Sequence, residues 1–374
     1  MTPGEPCHTP YGDFRLARYP ARRDEPLQAW CAADLLLLDE IHRLGTPGAD
    51  ILVANDEHGA LCVALQPREL WTDSALTALA LQHNLARNQL APVPVTWSTG
   101  RPRAGAALVA LRIPKQLPYF QYQLAVLSRL LEPGATVLAA GMDKHLSPRV
   151  AALLEDYIGP AERHRGQRKA RLFSARRDDR TGPAVAPPAS YYCEALAGEL
   201  RSQPNVFSQD RLDGGSRLLL DQLRSLQPAS LVIDLACGNG VLGLSAFRQG
   251  LASQVLFADE SAMAIASAQG NAARLFPADT AGFAFHQDDG LAHYAGPAAG
   301  LILCNPPFHL NHAVDDYAGR RLLEQCAGHL QPGGSLCIVA NQHLDYLPTL
   351  RRHFGTVDRL ARDRRFIVWL ARRD

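Results

Sequence analysis

The chain has 374 residues, 47% of them hydrophobic and 20% charged, with a formal net charge of +1, which leaves room for two folded domains of ordinary size. Its apolar runs are far shorter than a membrane span, and Met1-Thr2-Pro3-Gly4-Glu5-Pro6 lacks the apolar stretch of a secretory signal, so a cytoplasmic location is expected. Eight cysteines, none in a CxxC pair, read as buried thiols, and no metal site is expected.

In chain order, Leu27-Gln28-Ala29-Trp30 and Ala32-Ala33-Asp34 come first, and Ile51–Ala54, Ala107–Leu111 and Thr136–Ala140 read as strands. Strands alternating with helical patterns argue an α/β fold built on a doubly wound parallel sheet. Arginines then cluster from Arg163 to Arg177, including Arg165, Arg168 and Arg171. Such a cluster reads either as a phosphate-neutralising surface or as a solvated face. The stretch from Thr181 to Ser190, rich in proline, marks the boundary between expected domains at 1–185 and 186–374. A second basic cluster, Arg359 to Arg373, closes the chain.

The second half echoes the first. Leu131-Glu132-Pro133-Gly134-Ala135-Thr136 matches Leu330-Gln331-Pro332-Gly333-Gly334-Ser335, and Trp71-Thr72-Asp73-Ser74-Ala75 matches Ala258-Asp259-Glu260-Ser261-Ala262. Repeats of this length indicate duplication of a whole domain. The copies are chemically unequal. Glu57-His58-Gly59-Ala60 reads as a shortened, glycine-poor version of Cys237-Gly238-Asn239-Gly240, and Arg112-Ile113-Pro114-Lys115 replaces Asn305-Pro306-Pro307-Phe308. The first half is therefore expected to keep the fold and to have lost the site.

Gly238-Asn239-Gly240-Val241-Leu242-Gly243 fits G-x-G-x-x-G after the apolar run Ser230–Ile233, with Asp259 about 20 positions later. Alone, the pattern serves a nicotinamide enzyme equally well. Asp234, an anion at the strand end, would repel a pyrophosphate and suits the amino and sulfonium cations of S-adenosylmethionine. Asp259, with Glu260 beside it, can accept from ribose hydroxyls. Asp289 is the first choice for an adenine amino group and Asp288 the reserve, the alternative being a solvated turn.

Asn305-Pro306-Pro307-Phe308 ends the apolar strand Leu301–Cys304. An exocyclic amine on a purine is a poor nucleophile because its lone pair is delocalised into the ring. The Asn305 side-chain oxygen and the Pro306 carbonyl can accept its two N–H groups, the prolines fix the backbone, and Phe308 offers a stacking face. Pro307 and His309 flank the base position. His309, His312, Asp315 and Asp316 suit base or phosphate contacts better than a metal, and Cys304 reads as a core thiol.

Together the two loops resemble those of class I S-adenosylmethionine methyltransferases that modify planar amino nitrogens. With Asn205-Val206-Phe207-Ser208 and Leu212-Asp213-Gly214-Gly215-Ser216, they resemble the two-domain ribosomal RNA guanine-N2 methyltransferases over nearly the whole chain. The large-subunit branch is the nearer match, through Cys304-Asn305-Pro306-Pro307-Phe308-His309 and Val339-Ala340-Asn341-Gln342-His343-Leu344-Asp345-Tyr346. That resemblance implies tandem Rossmann-like methyltransferase domains, the first degenerate and RNA-holding, and N2-methylation of guanine 1835 in 23S rRNA. It implies that Asp234, Gly238, Gly240, Asp259 and Asp289 hold the cofactor and that Asn305, Pro306 and Phe308 hold guanine. Cys237, Asn239, Glu260 and Asp288 complete the expected cofactor site. Arg165, Arg168 and Arg171 are expected on RNA phosphates. Two other readings stay open: methylation of 16S rRNA by the same chemistry, and a non-catalytic RNA-binding assembly factor.

Overall fold

The computed structural model describes residues 5–22, 25–306 and 312–374. Its chain divides into two compact units, Met1–Pro187 and Pro188–Asp374, so the division falls inside the proline-rich stretch.

The first unit opens with a ribbon of β1 (Cys7–Thr9) and β2 (Gly12–Phe14), followed by α1 (Ala32–Leu44). Strands and helices then alternate through β3 (Ile51–Ala54), α2 (Ala60–Leu65), β4 (Glu69–Thr72), α3 (Ala75–Arg87), β5 (Val95–Trp97) and β6 (Leu108–Arg112). The unit finishes with α4 (Leu117–Leu130), β7 (Thr136–Met142), α5 (Val150–Tyr157), β8 (Ala161–Arg163) and β9 (Ala170–Arg176). Its main sheet runs β5-β4-β3-β6-β7-β9-β8, parallel except for β9.

The second unit has the same plan. A hairpin of β10 (Ala189–Cys193) and β11 (Gly198–Ser202) leads to α6 (Gly214–Leu220), β12 (Ala229–Leu235), α7 (Val241–Arg248), β13 (Ala252–Asp259), α8 (Ala262–Leu275) and β14 (Phe283–Gln287). After these come β15 (Ala299–Cys304), α9 (His312–His329), β16 (Leu330–Asn341), α10 (Leu347–His353), β17 (Thr356–Arg362) and β18 (Phe366–Arg372). Its sheet order, β14-β13-β12-β15-β16-β18-β17, reproduces the first sheet strand for strand, with β18 antiparallel. Duplication is thus visible in topology as well as in sequence.

The second sheet is buried on both faces, which is why β12 carries Leu231, Val232 and Ile233 in succession. One face packs Leu219, Leu244 and Ala268 from α6, α7 and α8; the other packs Leu323 and Leu350 from α9 and α10. Five phenylalanines knit α7 and α8 to the outer strands, with Phe247 edge-on to Phe283 at 4.7 Å and Phe257 stacked on Phe285 at 5.4 Å. Truncating Phe257, which is fully buried, would cost about 3–5 kcal/mol. The strand order reverses between β12 and β15. Their carboxyl ends therefore frame the crevice where doubly wound sheets bind ligands.

Candidate active site

The glycine loop leaves β12 at Leu235 and enters α7 at Gly240. Gly238 has φ +55°, and a Cβ placed there would meet only a Val206 methyl at 3.9 Å, so bare backbone faces open space. Gly243 serves a different need. A Cβ there would lie 2.7 Å from Phe257 and 3.0 Å from the Asp234 Cβ, so glycine lets α7 press onto the sheet. The Cys237 side chain lies in the core, and Asn239 donates to the Tyr191 hydroxyl and Ser202 Oγ, both at 3.2 Å. With these side chains turned into the fold, the part of Cys237 and Asn239 left for a ligand is their backbone.

Asp259 sits at the end of β13. One carboxylate oxygen accepts the Gly238 N–H at 3.0 Å and the other accepts the Ser261 N–H at 3.0 Å. It thereby ties the glycine loop to the start of α8. Glu260 is partly exposed beside it. Asp234 differs from expectation. It is fully buried, one oxygen accepts the Gly243 N–H at 2.8 Å, and burial pushes its pKa up to about 8, with the charge of Asp259 adding to the rise. Burial thus favours the protonated form of Asp234 near neutral pH. The other Asp234 oxygen has no hydrogen-bond partner among the described residues.

At the end of β14 the expected order of the two aspartates reverses. Asp289 is buried and gripped by both terminal nitrogens of Arg321 from α9, which ties its carboxylate to that helix. Asp288 accepts the Asp289 N–H at 2.7 Å and lies 2.9 Å from His293 Nδ1, remaining partly exposed at the edge. It is the better placed of the two for an exocyclic amine.

Asn305 follows β15. Its Nδ2 donates to Asp213 Oδ2 at 3.1 Å and to Ser216 Oγ at 2.9 Å. The same Asp213 oxygen caps α6 by accepting the Gly215 and Ser216 N–H groups. With its NH2 side held, the Asn305 amide turns its oxygen outward. Pro306 is buried next to it. Pro307, Phe308 and His309 lie outside the described residues, as do the side chains of His312, Asp315 and Asp316. Cys304 is fully buried and its thiol pKa is pushed well above the ordinary value by burial, which suits a core thiol and not a nucleophile.

The first unit has the same frame with different chemistry. Ala54 pairs with Trp71 and Leu111 as Leu235 pairs with Ala258 and Cys304, so Thr72 occupies the place of Asp259 and Arg112 that of Asn305. Gly59 and Gly240 share φ +84° and ψ 13° and stand equally far from their strands. The loop up to the glycine therefore has its full length, and the shorter link to the next strand that the sequence implies lies beyond it, 12 residues from Gly59 to Trp71 against 18 from Gly240 to Ala258. What changes is Glu57 in place of Gly238, and Asn55 in place of Ala236, both left-handed at φ +61° and +57°. Asn55 is tied to Gln123 at 2.8 Å and to the Arg112 carbonyl at 2.9 Å, filling the crevice with side chains.

Residues 5–179 match the RLMG N-terminal domain model, and residues 197–370 match the methyltransferase small domain. The ribosomal RNA large subunit methyltransferase G of Alcanivorax borkumensis is 39% identical, covering 97% of this chain and 96% of the relative. The protein of the same name from Stutzerimonas stutzeri is also 39% identical, covering 96% and 97%. The chain belongs to the ribosomal RNA large subunit methyltransferase G family. A solved structure of the T. thermophilus 16S rRNA N2 G1207 methyltransferase with AdoMet and guanosine shares the fold at TM-score 0.76 and 21% identity, covering 99% of this chain and 97% of that one.

In this methyltransferase G family member the arginine cluster of the first unit divides. Arg165, Arg168 and Lys169 are exposed at the β8–β9 tip, whereas Arg171 pairs with Asp143 at 3.1 Å and Arg177 is buried on the Ser128 carbonyl. Met142 pairs with Ala170 and Asn341 with Phe366, so the β8–β9 and β17–β18 tips both stand at the carboxyl edge of their own sheets. Arg364 and Arg365 are exposed at the second tip. Sequence reasoning missed Asp213 and Ser216. Asp-Gly-Gly-Ser before an apolar run signals a helix cap, and nothing in it announces a partner 92 residues away.

Proposed function

We propose that the second unit transfers the methyl group of S-adenosylmethionine to the exocyclic N2 of a guanine in 23S rRNA, guanine 1835 by family resemblance. The observation that carries this reading is the outward oxygen of Asn305 at the same sheet edge as Gly238 and Asp259.

The crevice fits the cofactor. Open space above Gly238 admits its chain, Asp259 suits the ribose diol, Asp288 suits the adenine amine, and the unpartnered Asp234 oxygen suits a cation. When bound, S-adenosylmethionine supplies an electrophilic methyl carbon on a positively charged sulfur. The Asn305 oxygen and the Pro306 carbonyl accept the two N–H groups of the guanine amine, which frees its lone pair toward that carbon. Held in this crevice, the cofactor would give its methyl carbon to that nitrogen, with sulfur keeping the C–S electron pair. The nitrogen is then acidic enough to lose its proton to water, so no strong base is required. Phe308, which lies outside the described residues, is expected from the sequence alone to offer a stacking face.

The first unit has an arginine where the acceptor belongs and a threonine where the ribose carboxylate belongs, and it serves RNA holding through Arg165 and Arg168. Incubating the full chain with labelled cofactor and separate 16S rRNA, 23S rRNA, DNA and protein tests the assignment. Label confined to one 23S guanine supports it; label in 16S rRNA favours the small-subunit reading, and no transfer favours an assembly factor.

A further inference from the structure

We infer that Asp213 and Ser216 are positioning residues that fix which end of the Asn305 amide meets the substrate, and so make the site select an amine. The inference rests on the proposed methyl transfer to a guanine amine. A carboxylate has no hydrogen to give, so the amide face 3.1 Å from Asp213 Oδ2 must be the NH2. Ser216 Oγ, 2.9 Å from the same nitrogen and buried, closes the second donor. Both hydrogens of the amide are thereby used, and the oxygen alone remains for the crevice. An unanchored asparagine presents either end, and an NH2 facing a guanine amine sets donor against donor.

The first unit supplies a natural contrast. Arg112 stands at the Asn305 position, and Asp34, third residue of α1 as Ser216 is of α6, takes its guanidinium in a buried ion pair. The link across the crevice is kept there, but arginine has donors only, so no acceptor faces the ligand side. What separates the two units at this point is the polarity of one side chain, set by its partner on the helix.

Removing the two acceptors one at a time tests the idea in the full chain. Because one Asp213 oxygen both caps α6 and receives the Asn305 NH2, Asp213→Ala loses the anchor and the cap together, whereas Asp213→Asn can keep an oxygen at that point and should stay close to wild type. Ser216→Ala removes the second acceptor and leaves the cap alone, because the cap uses the Ser216 backbone N–H. Single-turnover methylation of unmodified 23S rRNA should fall by roughly 10-fold in Ser216→Ala and roughly 100-fold in the Asp213→Ala/Ser216→Ala pair, with cofactor affinity unchanged. A loss in Ser216→Ala cannot come from a damaged helix cap, so it separates positioning from folding even if Asp213→Ala melts lower.

Near-wild-type rates for Ser216→Ala and for the Asp213→Ala/Ser216→Ala pair, or an Asp213→Asn variant no faster than Asp213→Ala, would overturn the inference. Wild-type protein that leaves 23S rRNA unlabelled would instead overturn the functional reading, before any variant is compared.

Discussion

Arg112 in the first sheet and Asn305 in the second leave equivalent strands at the same step, and each reaches across to a helix opening, Arg112 to Asp34 and Asn305 to Asp213. Buried ion pairs of this kind resist opening, because removing either partner leaves an uncompensated charge and costs about 3–5 kcal/mol. In the first sheet the place of the Asn305 acceptor is taken by a buried, ion-paired cation. Titration calorimetry of the full chain should accordingly give one S-adenosylmethionine per chain, and a stoichiometry of two would show that the first crevice is open.

Asp259 holds the Gly238 N–H and, in the proposed function, also receives the ribose. Asp259→Asn keeps one acceptor and should weaken cofactor binding modestly. Asp259→Ala loses charge-assisted bonds of about 1.5–3 kcal/mol, roughly 10- to 100-fold in affinity. Equal affinity in wild type and Asp259→Ala, measured by calorimetry, would remove Asp259 from the site.

If Asp234 meets the cofactor's cation, cofactor affinity should depend on pH. Burial raises its pKa to about 8, and a cation brought beside it favours the ionised form. Binding therefore expels a proton below that value, and affinity should rise with pH up to about 8 and then level. In Asp234→Asn, which keeps an acceptor for the Gly243 N–H, this component of the rise should vanish. Parallel pH profiles for the two proteins would contradict the placement. The same burial acts on stability with the opposite sign. An unfolded Asp234 titrates near 3.8 and the folded one near 8, so the native state holds the extra proton between them and loses stability as pH rises through that window.

The exposed tips make a salt-dependence prediction. Replacing Arg165 and Arg168, or Arg364 and Arg365, with alanine should weaken RNA binding and lower the slope of log affinity against log salt by about 0.7–0.9 for each phosphate that is no longer neutralised. Arg177→Ala should leave that slope alone, because its side chain is buried on the Ser128 carbonyl. Unchanged slopes in both tip variants would assign these arginines to plain solvation.

Much of this was legible in the chain. The duplicated segments predict the twin sheets because turn residues and apolar runs recur at matching offsets, and the glycine loop, Asp259 and Asn305 declare themselves by type and spacing. Protonation was not legible. Asp234 reads as an anion in sequence, and only its complete burial beside Asp259 raises its pKa. Arg321 capturing Asp289 could not be foreseen either, since the two are 32 residues apart and meet only when α9 packs against the segment that follows β14. The first-unit loop has lost a glycine in sequence, and only the structure shows that Asn55 adopts the left-handed turn that Ala236 adopts in the copy.

The most direct measurement is the single-turnover rate of Asn305→Ala on 23S rRNA with cofactor saturating. The variant lacks the oxygen that meets the guanine amine as charge develops on nitrogen, so the rate should fall by roughly 100-fold or more. Its affinity for S-adenosylmethionine should stay close to wild type. A near-normal rate would contradict the account, because the reacting amine would then be organised by something other than Asn305.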